Sequence, residues 1–357
     1  MTKVDFLLIG RGLAGCLLSW ELKRRGSSIS MIGINSPGAA SRVSSGVINP
    51  VTGRRYVKGW RFEELKKVYT EFYSQLESHY NRTFSYTRDM LVILNGPGDE
   101  NSWLLRQHDE AYSNYCHNVK GTVSDLYRLD ENAINGLIPG IAQVDIPAVV
   151  DCVIHEMKEG GWLHEEEFYY EKLYFKSHGE FIYDEKIVAT KGIVFCEGFG
   201  VINNPYFNWI PHALLKGERL LFEAASREQR ILNASYSVVP MKNYFWLGSN
   251  YDKQDSEPFI TEMERKNQLA FAKETLGTEI NVLDHDVGIR LASRDRRPIL
   301  GSHPENPGMY ILNGFGTKGA SMIPYCVRHL SDHLTKGHNI LPEADVKRFV
   351  KNFYRTL

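Results

Sequence analysis

Apolar positions along this chain fall into two alternating patterns. Phe6–Ile9 is an unbroken apolar run that stops at Gly10, and Cys16 to Arg25 then carries the mixed spacing of a helix. Gly26-Ser-Ser breaks that helix, and Ile29–Ile34 predicts a second strand. Phe62–Tyr80 places Leu65, Val68, Tyr69, Phe72, Tyr73 and Leu76 at helical spacing, so the aromatic stripe is a core face. Asp89–Leu94 predicts a strand closed by Asn95-Gly-Pro-Gly98. Trp103–Tyr115 and Glu165–Lys176 predict helices, the second led in by Gly160-Gly-Trp-Leu-His164. Lys191–Gly200 reads as a short buried strand ending in glycines, and Lys216-Gly-Glu218 as a turn into a strand. Ser235–Pro240 and Tyr244–Ser249 pair as a hairpin, followed by a helix over Thr261–Leu276. Tyr310–Asn313 is a last strand, followed by Gly314, Gly316, Gly319 and a terminal helix.

The first and last units share one grammar: buried strand, glycine turn, helix. In G-x-G-x-x-G, Gly10 makes the tight turn, Gly12 admits a pyrophosphate, and Gly15 lets helix and strand pack closely. The helix start then offers free N–H groups and a partial positive charge. The expected fold is α/β (α+β, two-domain): a Rossmann-like dinucleotide-binding domain with a second domain built on an antiparallel sheet. Residues 1–81, 148–206 and 287–357 are assigned to the first and residues 82–147 and 207–286 to the second, with Pro139-Gly-Ile and Ile146-Pro-Ala marking a crossing. The carboxylate that normally ends the second strand and holds the adenosine ribose is missing, since Gly33 and Ile34 stand there. Asn35 or Ser36 is left to make those contacts, which weakens an NAD reading.

At 357 residues with a net charge of −1, the chain buries large cores and shows no global field for nucleic acid or membrane. No apolar run approaches a spanning helix. Asp5 and the three early glycines argue against a signal peptide. Cys16, Cys116, Cys152, Cys196 and Cys326 are scattered without metal or disulfide spacing, which fits a reducing cytoplasm and predicts no metal site. His164 lacks a partner at metal spacing and reads as a helix-start residue. Arg54, Arg55, Lys58 and Arg61 form either a solvated basic face or a contact to an anionic ligand.

Six stretches in register resemble the FAD-dependent amine and amino-acid oxidases of the D-amino-acid oxidase, glycine oxidase and sarcosine oxidase group. They are Ile9–Gly15, Ala40-Ser41 with Ser45-Gly46, Val194–Gly198, Lys216–Glu218, Gly288–Gly301 and Asn313–Gly319. The resemblance implies FAD, held without a covalent bond. Gly10, Gly12, Leu13, Ala14 and Gly15 would hold the pyrophosphate. Asn35 would serve the adenosine ribose, and Ser41, Ser44, Ser45, Gly46 and Val47 would follow the ribityl chain and flavin edge. Ile187 would offer backbone to the adenine, with Cys196 and Gly198 beside the adenosine half. Gly314, Gly316, Thr317, Gly319 and Ala320 would turn N–H groups toward the flavin N1/C2=O. Arg290 would grip a substrate carboxylate and Lys318 would add charge at the flavin edge. A tyrosine gate in relatives aligns with Ser237, one residue from Tyr236, which reverses its face.

The implied activity is oxidation of the C–N bond of a small amine or amino acid to an imine that water hydrolyses, with oxygen or another acceptor reoxidising the flavin. Orientation carries most of the catalysis, and no acid/base side chain is required. Two other readings use the same residues. The Ser44–Asn49 loop is also similar to that of tRNA-modifying oxidases, and the Asn49–Arg61 cations give a modified wobble uridine in tRNA as an alternative substrate. The missing ribose carboxylate and shifted tyrosine give a non-catalytic FAD-binding sensor or partner subunit.

Overall fold

The computed structural model describes every residue except Glu131, His178 and Leu357. Strand Thr2–Ile9 pairs in parallel with Ile29–Ile32 on one side and Ile187–Phe195 on the other. Phe6 to Ile9 are all buried because both faces of this sheet are covered, as parallel strands require. Met309–Asn313 joins Ile187–Phe195 in parallel, and Ile299–Ser302 closes that edge. Helices Leu13–Arg24, Ile146–Glu159, Phe62–Tyr80 and Gly319–Lys336 contribute to the core on one face. Phe181, Tyr183, Phe195, Phe207 and Trp209 fill the other.

The second sheet has nine strands and is antiparallel apart from the pairing of Ile231–Asn233 with Ser85–Val92. Its longest pair, His212–Glu223 with Asn281–Ser293, forms one edge, and the hairpin Ser237–Pro240 and Phe245–Gly248 follows on the inner side. Helix Glu262–Thr275, capped by Thr261, packs Ala272 against that sheet's core. The chain leaves this sheet at Asp145, whose carboxylate caps helix Ile146–Glu159. Residue 287, the expected domain boundary, lies inside strand Asn281–Ser293.

Four expectations change. The predicted helix Glu165–Lys176 is a 3-10 turn, Tyr170–Lys172, leading into strand Leu173–Ser177, which forms a hairpin with Glu180–Tyr183. Glutamates at 165–167 favour a helix, but Leu173, Phe181 and Tyr183 are buried on an edge hairpin. His164 therefore lies in a short strand, where its Nε2 sits 2.9 Å from Ser30 Oγ. The predicted helix Trp103–Tyr115 instead spans Pro97–Gln107, because Pro97 is a helix-starting residue after Gly96. Pro139-Gly140 sits exposed within strand Asn135–Val144, opposite a register shift, rather than at a crossing.

Strand, turn and first helix meet tightly at Gly15. A Cβ there would stand 1.9 Å from the Gly10 carbonyl oxygen, which is backbone and cannot swing away. Gly15→Ala is expected to cost at least about 1–3 kcal/mol, read as a lowered denaturation midpoint. A midpoint equal to wild type would contradict this packing.

Candidate functional site

The crevice lies beyond the carboxyl ends of the parallel strands and opens toward the second sheet. It encloses a cavity of about 830 Å³, toward the upper end for ligand sites. Two helix N-termini reach its lining, at Gly12–Ala14 and at Lys318–Ala320. Neither N-cap residue, Gly12 or Lys318, caps its helix with a side chain, and neither first turn holds an acidic residue. Free backbone N–H groups and the positive ends of two helices therefore serve one cavity. Ser41, in the short helix Ala40–Val43, accepts from the Leu13 N–H at 3.0 Å and ties the small-residue loop to the glycine turn. The other side of that loop is fixed to the second sheet. Trp246 Nε1 donates to the Val43 carbonyl at 2.8 Å, and Gly46 packs so closely on Val144 that a Cβ would lie 1.7 Å from its oxygen.

Of the residues expected to hold a dinucleotide, Gly10, Gly12, Leu13, Ala14, Asn35, Ser41, Ser44, Ser45, Gly46, Val47, Cys196, Gly198, Gly316, Thr317, Gly319 and Ala320 line this cavity. Ile187 lies elsewhere. It pairs with Thr2 at the amino end of the parallel strands, a full strand length from the crevice. The segment that faces the cavity there is Glu167, Phe168 and Tyr170. Gly15 and Gly314 lie behind the lining and shape it: Gly15 abuts Gly10, and Gly314 leaves space for Ile299. Asn35 accepts from Arg42 at 3.2 Å, while Arg42 also pairs with Asp151.

Arg290 and Lys318 both reach the cavity. Arg290 springs from strand Asn281–Ser293, and its guanidinium crosses the neighbouring strand where Gly217 has no side chain. A Cβ on Gly217 would sit 2.2 Å from Nη2. The glycine read as a turn is thus a gap in a continuous strand, His212–Glu223. Beyond it Nη2 donates to Ser249 Oγ, Nη1 reaches the Asn250 carbonyl at 3.4 Å, and the group lies 5.1 Å from the Tyr251 ring centroid. Burial holds the Arg290 guanidinium below its ordinary pKa, and no acidic side chain among the described residues pairs with it. Lys318 is likewise lowered, first by burial and then by Arg296 and Arg297; its ammonium lies beside Gly59. Arg54 touches the cavity, whereas Lys58 and Arg61 are engaged by Glu63, Glu64 and Glu343. Ser237 lines the cavity and Tyr236 points away onto Phe271, as the one-residue offset requires.

The sequence reading passed over Glu197. It follows strand Ile187–Phe195, lines the cavity, and accepts from Tyr170 Oη and from Asn204 Nδ2 at 2.7 Å. The available signal was a carboxylate set at the carboxyl end of a buried parallel strand, where ligands bind. Burial, outweighing both bonds, pushes its carboxyl up to about 7 from 4.5. Between those values the ligand-free folded chain keeps a proton that the unfolded chain has released. Stability should therefore fall as pH rises through that window, by up to about 1.4 kcal/mol per unit. Glu197→Gln is expected to remove this slope in thermal melts of the ligand-free protein between about pH 5 and pH 7.5. Parallel pH profiles for the two proteins would contradict it.

Among solved structures, glycine oxidase from Geobacillus kaustophilus superposes with a TM-score of 0.80 at 16% identity over 98% of both chains. Iminodiacetate oxidase from Chelativorans sp. gives 0.78 at 18% identity over 96% of this chain and 98% of that one. Among curated proteins, the tRNA 5-methylaminomethyl-2-thiouridine biosynthesis bifunctional protein of Legionella pneumophila (strain Lens) is 22% identical over 378 residues. That alignment takes in 94% of this chain and 55% of the relative, so the chain spans about half the length of the curated relatives it matches. No helix among the described residues is long and apolar enough to cross a membrane. The DAO model, FAD dependent oxidoreductase, matches residues 5–333. With two helix poles and a glycine cradle facing one cavity, the chain belongs to the DAO family of FAD-dependent oxidoreductases.

Proposed function

We propose that this chain oxidises the C–N bond of a small amine that carries a carboxylate, such as an α-amino acid or an N-substituted glycine. The observation that carries this reading is the Arg290 guanidinium, part-buried in the cavity and lacking an acidic partner among the described residues. Its planar fork suits two carboxylate oxygens and fixes the direction of the adjoining carbon. The similar glycine oxidase and iminodiacetate oxidase are named for substrates that contain an N–CH2–COO⁻ unit.

The cavity suits FAD in size and in its two helix N-termini. Gly10, Gly12 and the following N–H groups would hold the pyrophosphate, with Ser41 to Val47 along the remainder. Bound FAD supplies the two-electron acceptor. Lys318 and the N–H groups of Thr317, Gly319 and Ala320 bring positive charge to the cavity, which favours the negative charge gained on reduction. Arg290 orients the substrate, and the apolar walls at Trp246, Ile289 and Phe315 limit water. Cys196, the one described cysteine in the lining, has its thiol pushed far up by burial, which supports a non-covalent cofactor. The tRNA reading draws on the named Legionella relative. The ion pairs that occupy Lys58 and Arg61 favour the small substrate, and weak, salt-insensitive tRNA binding is the corresponding expectation.

Anaerobic mixing with a panel of D-, L- and N-substituted amino acids is expected to bleach the bound flavin for at least one carboxylate-bearing amine. No bleaching across the panel would favour the non-catalytic reading. Arg290→Met is expected to raise KM for that substrate by about 30-fold or more. Gly217→Ala, which displaces only the flexible guanidinium tip, is expected to raise it roughly 10- to 100-fold in a folded protein. Wild-type KM in both variants would overturn the carboxylate anchor.

A further inference from the structure

Lys216 is buried to 1% exposure in the middle of strand His212–Glu223, on the opposite strand face from Gly217 and the guanidinium above it. Its backbone pairs with Asp252 in both directions, at 2.9 and 3.0 Å. Its ammonium bonds the Asp255 carboxylate and stands 3.8 Å from Glu218. Glu218, equally buried, accepts from the Thr261 N–H at 2.8 Å and the Thr261 hydroxyl at 2.9 Å, and its own N–H donates to Asn250 Oδ1 at 2.7 Å. Apart from Glu218 itself and His285, whose Nε2 stands 2.9 Å from the Glu218 carboxylate, these partners belong to the irregular segment 249–261. The same segment supplies Ser249, Asn250 and Tyr251 to Arg290. It also sets Pro258 against Gly38, where an added Cβ would lie 2.7 Å from the proline ring. The segment has little apolar anchoring of its own, with Tyr251, Phe259 and Ile260 at 63%, 68% and 50% exposure.

We propose that Lys216 is a positioning residue for substrate: through Asp255 it holds segment 249–261 against the strand, so that Ser249, Asn250 and Tyr251 fix the Arg290 fork. A buried lysine taken from water needs a compensating charge, and Asp255 supplies the nearer one from the segment, beside Glu218 of its own strand. Release of Asp255 leaves the segment held by the Lys216–Asp252 backbone pairs, by Asn250 Oδ1 on the Glu218 N–H and by Thr261 on the Glu218 carboxylate. With one tether gone, Ser249, Asn250 and Tyr251 are held less firmly, and the guanidinium samples more directions across Gly217. This rests on the reading of Arg290 as the carboxylate anchor.

Asp255 is part-exposed, and after its replacement Glu218 still stands 3.8 Å from the buried Lys216 ammonium as a counter-charge. In FAD-loaded Asp255→Ala, limited chymotrypsin cleavage after Tyr251 and Phe259 is expected to quicken about tenfold or more. KM for a carboxylate-bearing amine that bleaches the flavin is expected to rise about fivefold or more with kcat within about twofold, and Asp255→Asn to fall between the two. Wild-type cleavage overturns the proposal, as does faster cleavage with unchanged KM. Arg290→Met separates the two readings: unchanged KM in that variant sinks the carboxylate anchor, and the cleavage arm then decides alone whether Asp255 holds the segment.

Discussion

A cation drawn out of water without a fixed counter-charge is the constraint on which this site depends. Arg290 is held by one hydroxyl, one carbonyl and the face of one ring, none of which neutralises it. That arrangement is costly in the free protein and, on the proposed reading, would become favourable on entry of a carboxylate. The surrounding sequence serves the same end. Gly217 removes a side chain from the strand the guanidinium must cross, and the Ser249–Tyr251 segment closes the far side.

The cavity couples two architectures with different electrostatic offerings. The parallel sheet directs helix N-termini and glycine turns at one end, an arrangement that suits the phosphates of a dinucleotide. The antiparallel sheet places side chains at the other end, where strand register decides what faces the ligand. The loop Ser41–Val47 joins the two, pinned to the first helix through Ser41 and to the second sheet through Trp246 and Val144. Movement in either sheet would therefore be felt along this loop.

Legibility in the sequence followed the locality of the signal. The two glycine turns, helix Phe62–Tyr80 and the hairpin before Gly248 are set by neighbours in the chain, and the structure has them where their patterns place them. The Glu165–Lys176 stretch misled because its glutamates favour a helix, while its strand state depends on pairing with Glu180–Tyr183 and on the cover over Phe195. Ile187 was placed at the adenine by the family resemblance, but depth along a strand is fixed by register, which puts it opposite Thr2. Gly217 looked like a turn because nothing local shows that a guanidinium two strand positions away needs the space. Glu197 sat inside a recognised stretch, yet its raised pKa arises from burial beside Tyr170 and Asn204, which only the folded chain brings together.

The central claim is the anchoring of substrate by Arg290. Its most direct test is a crystal structure of the FAD-loaded protein with a slowly reacting N-substituted glycine in the cavity. The account predicts the ligand's carboxylate on both terminal nitrogens of Arg290, with its nitrogen-bearing carbon turned toward the flavin. A carboxylate held by Lys318 or Arg54, with Arg290 still bonded only to Ser249 and Asn250, would contradict it.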